Sequence, residues 1–96
     1  MAKYRVFVNG QNLFANFDGQ VKRVGFYTTR FLEARSPREA GDMAVDLIRQ
    51  DSRLCRITLN QQDDPLMLFV DEIEEVNSLE AATGFAFYPI TINLIY

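Results

Sequence analysis

The side chains of this chain that could carry chemistry are one cysteine, thirteen carboxylates and a group of arginines on an aromatic stretch; there is no histidine. That absence removes every Ser-His or Cys-His nucleophile pair, His-ligated zinc and an imidazole general base. Cys55 sits between Leu54 and Arg56, and the guanidinium groups of Arg53 and Arg56 could stabilise a thiolate there. A free cysteine is more often a small buried hydrophobe. Standing alone, it forms no internal disulfide and no Cys-rich metal site, and it fits a reducing compartment, so a cytoplasmic location is expected.

The acids Asp63, Asp64, Asp71, Glu72, Glu74, Glu75 and Glu80 offer oxygen ligands for a hard cation. They lack EF-hand spacing. On a strand, Asp71 and Glu75 would share a face with Ile73 while Glu72 and Glu74 take the other, so a solvated acidic edge is the expected reading. Glycines stand at 10, 19, 25, 41 and 84, too scattered to cradle a phosphate. No catalytic residue, metal site or cofactor is expected, and the chain reads as non-enzymatic.

Arg23, Val24, Gly25, Phe26 and Tyr27, with Arg30 and Phe31, place bases and rings on one strand, which is the chemistry of base stacking over a charged groove. Arg5, Lys22, Arg23 and Arg30 are the residues of a possible basic patch. In RNA-recognition sheets, however, a helix separates the first two strands, and here the helix follows both. An ordinary hairpin with solvated arginines is preferred, and nucleic acid is not expected as the main partner. The net charge of −3 hides a split: residues 1–38 hold seven basic against two acidic residues (+5), and the remainder three against eleven (−8). Opposite halves either fold against each other or show a partner two faces of opposite sign; the first is expected.

These groups must be positioned by strands and one helix. Tyr4, Val6 and Val8 alternate with Arg5, Phe7 and Asn9, which predicts a strand over about 3–9. Asn9-Gly10 and Asp18-Gly19 compete as turns. The second is preferred, with Asn9-Gly10 then a bulge in one long hairpin, because the run from Gln20 to Ala34 needs a long partner. In that run Val24, Phe26, Thr28, Arg30 and Leu32 share one face, and Tyr27, Thr29, Phe31 and Glu33 the other. Ser36, Pro37 and Glu39 have the spacing of a helix start with a capping box. Ala40, Met43, Ala44, Leu47 and Ile48 then form an apolar stripe running to Gln50 or Asp51. Gly41 inside it costs about 1 kcal/mol against alanine, which points to a close neighbour.

Beyond the helix, Arg56–Leu59 is a short strand candidate, and the polar run 60–65 is a loop. Leu66–Val70 reads as a strand, apolar throughout and hence central or covered on both sides. Asp71–Val76 either continues it or turns. Asn77–Gly84 is a loop, and Phe85–Tyr96 is a long apolar strand in which Pro89 calls for an edge or bulge.

The expectation is one α+β domain over residues 1–96, in the order ββαββ(β): a mostly antiparallel sheet of four to five strands with one helix on one face. A chain of 96 residues, 48% hydrophobic and 24% charged, has the balance of a globular domain. At this length about 65% of the unfolded surface is buried, enough for a core without metal or disulfide. No signal-like or membrane-spanning run is present in the sequence.

One helix covers one side of a sheet, and both sides of this one carry apolar residues. The expected interaction surface is Tyr27, Thr29, Phe31, Phe85, Phe87, Tyr88, Ile90 and Ile92, and the expected assembly is a homodimer, with another protein as a further possible partner. The functional expectation is therefore a small cytoplasmic, self-associating interaction module.

Gly25–Ala34 followed by Ser36-Pro37-Arg38-Glu39-Ala40 resembles short uncharacterised bacterial proteins that have a near-identical strand and helix start. More distantly, a hairpin followed by this helix start resembles HicB-type antitoxins, although their Pro-Gly-Cys segment and appended DNA-binding helices are missing. That resemblance implies an alternative role: a regulatory protein binding a protein or nucleic acid through the basic hairpin.

Overall fold

The computed structural model describes residues 1–82 and 84–90. Among these residues six elements follow one another: β1 (Ala2–Phe17), β2 (Gln20–Ala34), α1 (Pro37–Arg49), α2 (Ser52–Ile57), β3 (Met67–Val76) and β4 (Ala86–Pro89). The four strands form one antiparallel sheet in the order β3-β1-β2-β4. The class is α+β.

The long hairpin turns at Asp18-Gly19, both residues having positive φ (53° and 93°). Mirror-type turns of this kind match strand twist, and glycine takes such a φ without steric cost. Asn16 accepts a hydrogen bond from the Gly19 amide through its side-chain oxygen, 2.7 Å. The competing Asn9-Gly10 signal adjoins a bulge between Gly10 and Leu13, where Asn12 has φ 61°. Strand one thus extends well past the expected 3–9.

Helix α1 starts as its sequence predicts. The Ser36 hydroxyl accepts from the Glu39 amide, 3.1 Å, and the Glu39 carboxylate reaches back to the Arg35 amide, 3.2 Å. Its buried residues are Ala40, Gly41, Ala44 and Ile48, while Met43 and Leu47 lie at the margin, 38% and 48% exposed. The contact face is rotated towards Gly41. A Cβ there would approach Ile73 at 3.3 Å and Val70 at 3.6 Å, so the missing side chain lets the helix sit close on β3.

Two expectations are corrected. The strand expected at Arg56–Leu59 is instead the end of α2, followed by a single bridge from Thr58 to Ala15. Asp51 causes the change: its carboxylate accepts the Arg53 amide at 2.8 Å, starting a second helix that buries Leu54. The sheet therefore carries two helices. The strand expected to be central at Leu66–Val70 is the start of β3, which lies at the sheet edge and continues through Asp71–Val76. An apolar run reads alike at a centre or an edge; here Met67, Phe69 and Val70 remain 37–44% exposed.

Cross-strand partners share a face, so the register defines two surfaces. On the inner face Tyr4, Val6, Val8, Val24, Phe26, Leu32 and Leu13 meet Ala40, Ala44, Ile48 and Leu54 in the core. The least dimension of the molecule is 23 Å, the thickness of one helical layer of about 10 Å on a sheet.

The opposite charges of the two chain halves meet in this fold. Arg5 pairs with Glu72 and Glu74, Arg23 with Asp64, and Arg30 with Asp51.

Candidate functional site

On the outer face, away from both helices, the register aligns Arg5, Phe7, Asn9 and Gln11 of β1 with Phe31, Thr29 and Tyr27 of β2, and with Met67, Phe69, Glu72 and Glu74 of β3. Period-two alternation puts them there: the residues between them are the core. Tyr88 of β4 joins the row opposite Gly25. The rings form a continuous lane. Phe7 stacks on Tyr27 with centroids 5.3 Å apart and planes 9° apart, and Tyr27 meets Tyr88 at 5.1 Å.

A buried polar link fixes this lane. Asn9, 6% exposed, donates through its side-chain nitrogen to the Tyr88 hydroxyl at 2.7 Å and to the Phe26 carbonyl at 3.1 Å. Its oxygen accepts from Gln11 Nε2 at 2.8 Å. The Tyr88 ring occupies the space that a side chain on Gly25 would need. So one glycine on β2 lets a ring from β4 cross to β1, and every polar atom of the crossing has a partner.

Of the residues expected at the interaction surface, the structure brings Tyr27, Thr29, Phe31 and Tyr88 together on this face. Tyr27 is 40% exposed, Phe31 half-buried and Thr29 buried. Phe85 and Phe87 go to the other side, edge-on to Phe26 at 5.1 and 6.2 Å, with Phe87 also edge-on to Phe17 at 5.1 Å. Ile90, exposed, borders an open groove of about 480 Å³ with Met67 and Tyr88. Ile92 lies outside the described residues, as does the rest of the expected strand at 91–96. Phe7, Asn9, Met67 and Phe69 were not among the expected surface residues. Phe7 and Asn9 follow from the alternation in β1; Met67 and Phe69 need the register of β3.

The basic residues form no single patch. Arg5 faces outward between Glu72 and Glu74. Arg23 engages Asp64 at 2.9 Å and the side-chain oxygen of Asn12, and lies 5.0 Å over the Phe14 ring. Asn12 and Arg23 hold the Asp64 carboxyl below the ordinary carboxylate range. Lys22 borders a second groove, of about 470 Å³, with Phe17 and Phe87.

Arg30 is 5% exposed on the inner face. It donates to Thr28 Oγ1 at 2.6 Å, to the Thr29 carbonyl at 3.0 Å and to Asp51 at 3.1 Å. Burial lowers its pKa, partly offset by Asp51. Arg53 also binds Asp51, at 2.8 Å, and both guanidinium groups lie over the Phe85 ring, 5.4 and 5.3 Å from its centroid. Hydrogen bonding from Arg53 pulls the Asp51 carboxyl from 3.8 to about 2. This is a structural clamp that ties β2, the start of α2 and the approach to β4.

Cys55 is exposed, its thiol donating to the Arg49 carbonyl at 3.3 Å, while Arg53 is engaged by Asp51. Among the described residues no three Asp, Glu or Cys side chains converge to hold a metal ion, and no helix is long and apolar enough to cross a membrane. Comparisons with protein-family models, curated proteins and solved structures give no match for this chain.

Proposed function

We propose that this protein is a small, non-enzymatic interaction module of the cytoplasm that self-associates through the outer face of its sheet. The observation that supports this is the Phe7–Tyr27–Tyr88 lane, flanked by the 44%-exposed Met67 and Phe69, on the face opposite both helices. A contiguous, partly exposed apolar surface of this kind marks an interaction site.

The charges favour a second copy as the occupant. Arg5 is matched on the same face by Glu72 and Glu74, and Lys3 lies opposite Glu33 in the register. A face on which basic and acidic groups stand side by side can meet its own image across a two-fold axis without setting like charges opposite, as an isologous interface requires. Area is sufficient as well: a standard interface takes about 800 Å² per partner, and the slab measures 50 × 32 Å in its two long dimensions. The lone exposed Cys55 fits a reducing compartment.

The test is mass in solution by light scattering across a concentration series. The native chain is expected to dimerise, and Tyr27→Glu with Phe69→Glu to leave a folded monomer, since both positions are solvent-facing. A native chain that stays monomeric at hundreds of micromolar overturns the reading.

A further inference from the structure

A second surface adjoins the outer face: the free edge of β3. This strand is ten residues long and, among the described residues, pairs only with β1. None of the backbone hydrogen bonds that lie outside the ladders involves it among the described residues. Open edges template another strand through their outward N–H and C=O groups unless they are shortened, covered or guarded by charge, proline or a bulge. Here no lysine or proline falls within the strand, and its guards are a bulge and acids, which repel an acidic strand but attract a basic one.

The edge is divided in two by a bulge: Phe7 pairs with Glu72 and Val8 with Val70, leaving Asp71 as the extra residue. Before the bulge come Met67, Leu68, Phe69 and Val70, with Met67, Phe69 and Val70 exposed. Beyond it come Glu72, Glu74 and Glu75. Arg5 pairs with Glu72 and, at 3.8 Å, with Glu74 from the β1 side, whereas Asp71 and Glu75 have no ion-pair partner among the described residues.

We propose that the free edge of β3 is a docking site for an extended segment of a partner protein, apolar where it lies beside Met67–Val70 and carrying Lys or Arg where it lies beside Asp71–Glu75. The ladder bonds come from the backbone, as in strand addition generally, and the side chains set the choice of segment. The charges argue against a second copy here. An antiparallel pair of β3 edges using their full length would set acids against the apolar half or against each other, and like charges directly opposite are destabilising. A basic segment uses the whole edge. The docking uses the outward backbone groups of β3, whereas self-association uses the side chains of the outer face; the two share Met67 and Phe69.

The probes are a fluorescein-labelled synthetic decapeptide with alternating lysines in one half and valine and threonine in the other, and the same peptide with its sequence reversed. Copies with glutamate for each lysine, and copies N-methylated at alternate residues in either phase, complete the set. Fluorescence anisotropy is expected to show binding of the lysine peptide in one of the two sequence directions. The glutamate copy should bind about tenfold more weakly, the scale of two exposed charge pairs. One N-methylated phase should abolish binding while the other retains it. Asp71→Lys with Glu75→Lys should reverse the preference; if that variant loses its circular-dichroism melt, Asp71→Asn with Glu75→Gln should reduce the discrimination between the two charge types. Absence of binding in both directions, equal affinity for lysine and glutamate peptides, or full binding by both N-methylated phases overturns the proposal. Binding that survives in a monomer made by Tyr27→Glu, a position on β2 two strands from this edge, separates it from the outer-face reading.

Discussion

The side-chain amide of Asn9 donates to the hydroxyl of Tyr88 at 2.7 Å, a bond that crosses the sheet from β1 to β4 over Gly25. Tyr88→Phe removes one acceptor while the Phe26 carbonyl still receives the amide, so a loss of about 1 kcal/mol is expected. Gly25→Ala sets a methyl group inside the Tyr88 ring and should cost about 2 kcal/mol. Urea unfolding measures both, and equal stability of native chain and Gly25→Ala would contradict the crossing.

Gly10 plays the matching part on the inner face, where the fully buried Phe26 ring covers it. With no room for the ring to swing aside, Gly10→Ala should cost about 3 kcal/mol. Adding Phe26→Leu should give a double variant more stable than the sum of the two single losses, because the two residues share one space. A double-mutant cycle in denaturant reads the coupling directly.

Acid weakens the Asp51 clamp. The carboxyl is depressed from 3.8 to about 2 in the folded chain, so its stabilisation is complete above the unfolded value and is lost as pH falls through the folded one. With 14% of its side chain accessible, a contribution of about 2 kcal/mol is expected to disappear between about pH 5 and 2. Asp51→Asn should flatten that limb of the stability profile. It should also lower stability at neutral pH, since the buried Arg30 then loses the Asp51 carboxylate.

At the hairpin turn, Gly19→Ala places a Cβ on a residue with φ 93° and should cost about 1 kcal/mol. Asp18→Asn keeps a side chain suited to positive φ and should change stability by less than about 0.5 kcal/mol. Thermal melts of the two variants distinguish the turn from the alternative at Asn9-Gly10.

Several parts of the fold were legible because the signal was local. Ser36, Pro37 and Glu39 specify the α1 start within four residues, and Asp18-Gly19 specifies the turn by backbone preference alone. Helix α2 was hidden because six residues show no periodicity, and only Asp51 marks its beginning. The edge position of β3 depends on pairing across more than fifty residues, which an apolar run does not encode. At the candidate surface, alternation alone separates Tyr27, Thr29 and Phe31 from the core. Tyr88 could be added, and Phe85 and Phe87 set on the opposite side, only once β4 had a register against β2.

Association through an apolar face should respond weakly to salt. If the outer face joins two copies, the dimer constant should change by less than about threefold between 50 and 200 mM salt, whereas binding that neutralises phosphates falls steeply over that range. Sedimentation equilibrium at the two ionic strengths reads this; a steep fall would show that charge pairs and not the apolar lane hold the two copies together.

The placement of β1 between β2 and β3 has a consequence for biosynthesis. β1 leaves the ribosome before both of its neighbours, one of which is made at once and the other only after both helices. Until Met67–Val76 emerges, the nascent hairpin holds a bare lateral border. Closing a loop this long before its contacts are rewarded slows folding, so translation pauses between α2 and β3 would prolong a vulnerable, half-zipped intermediate and give chaperones their opportunity to engage it.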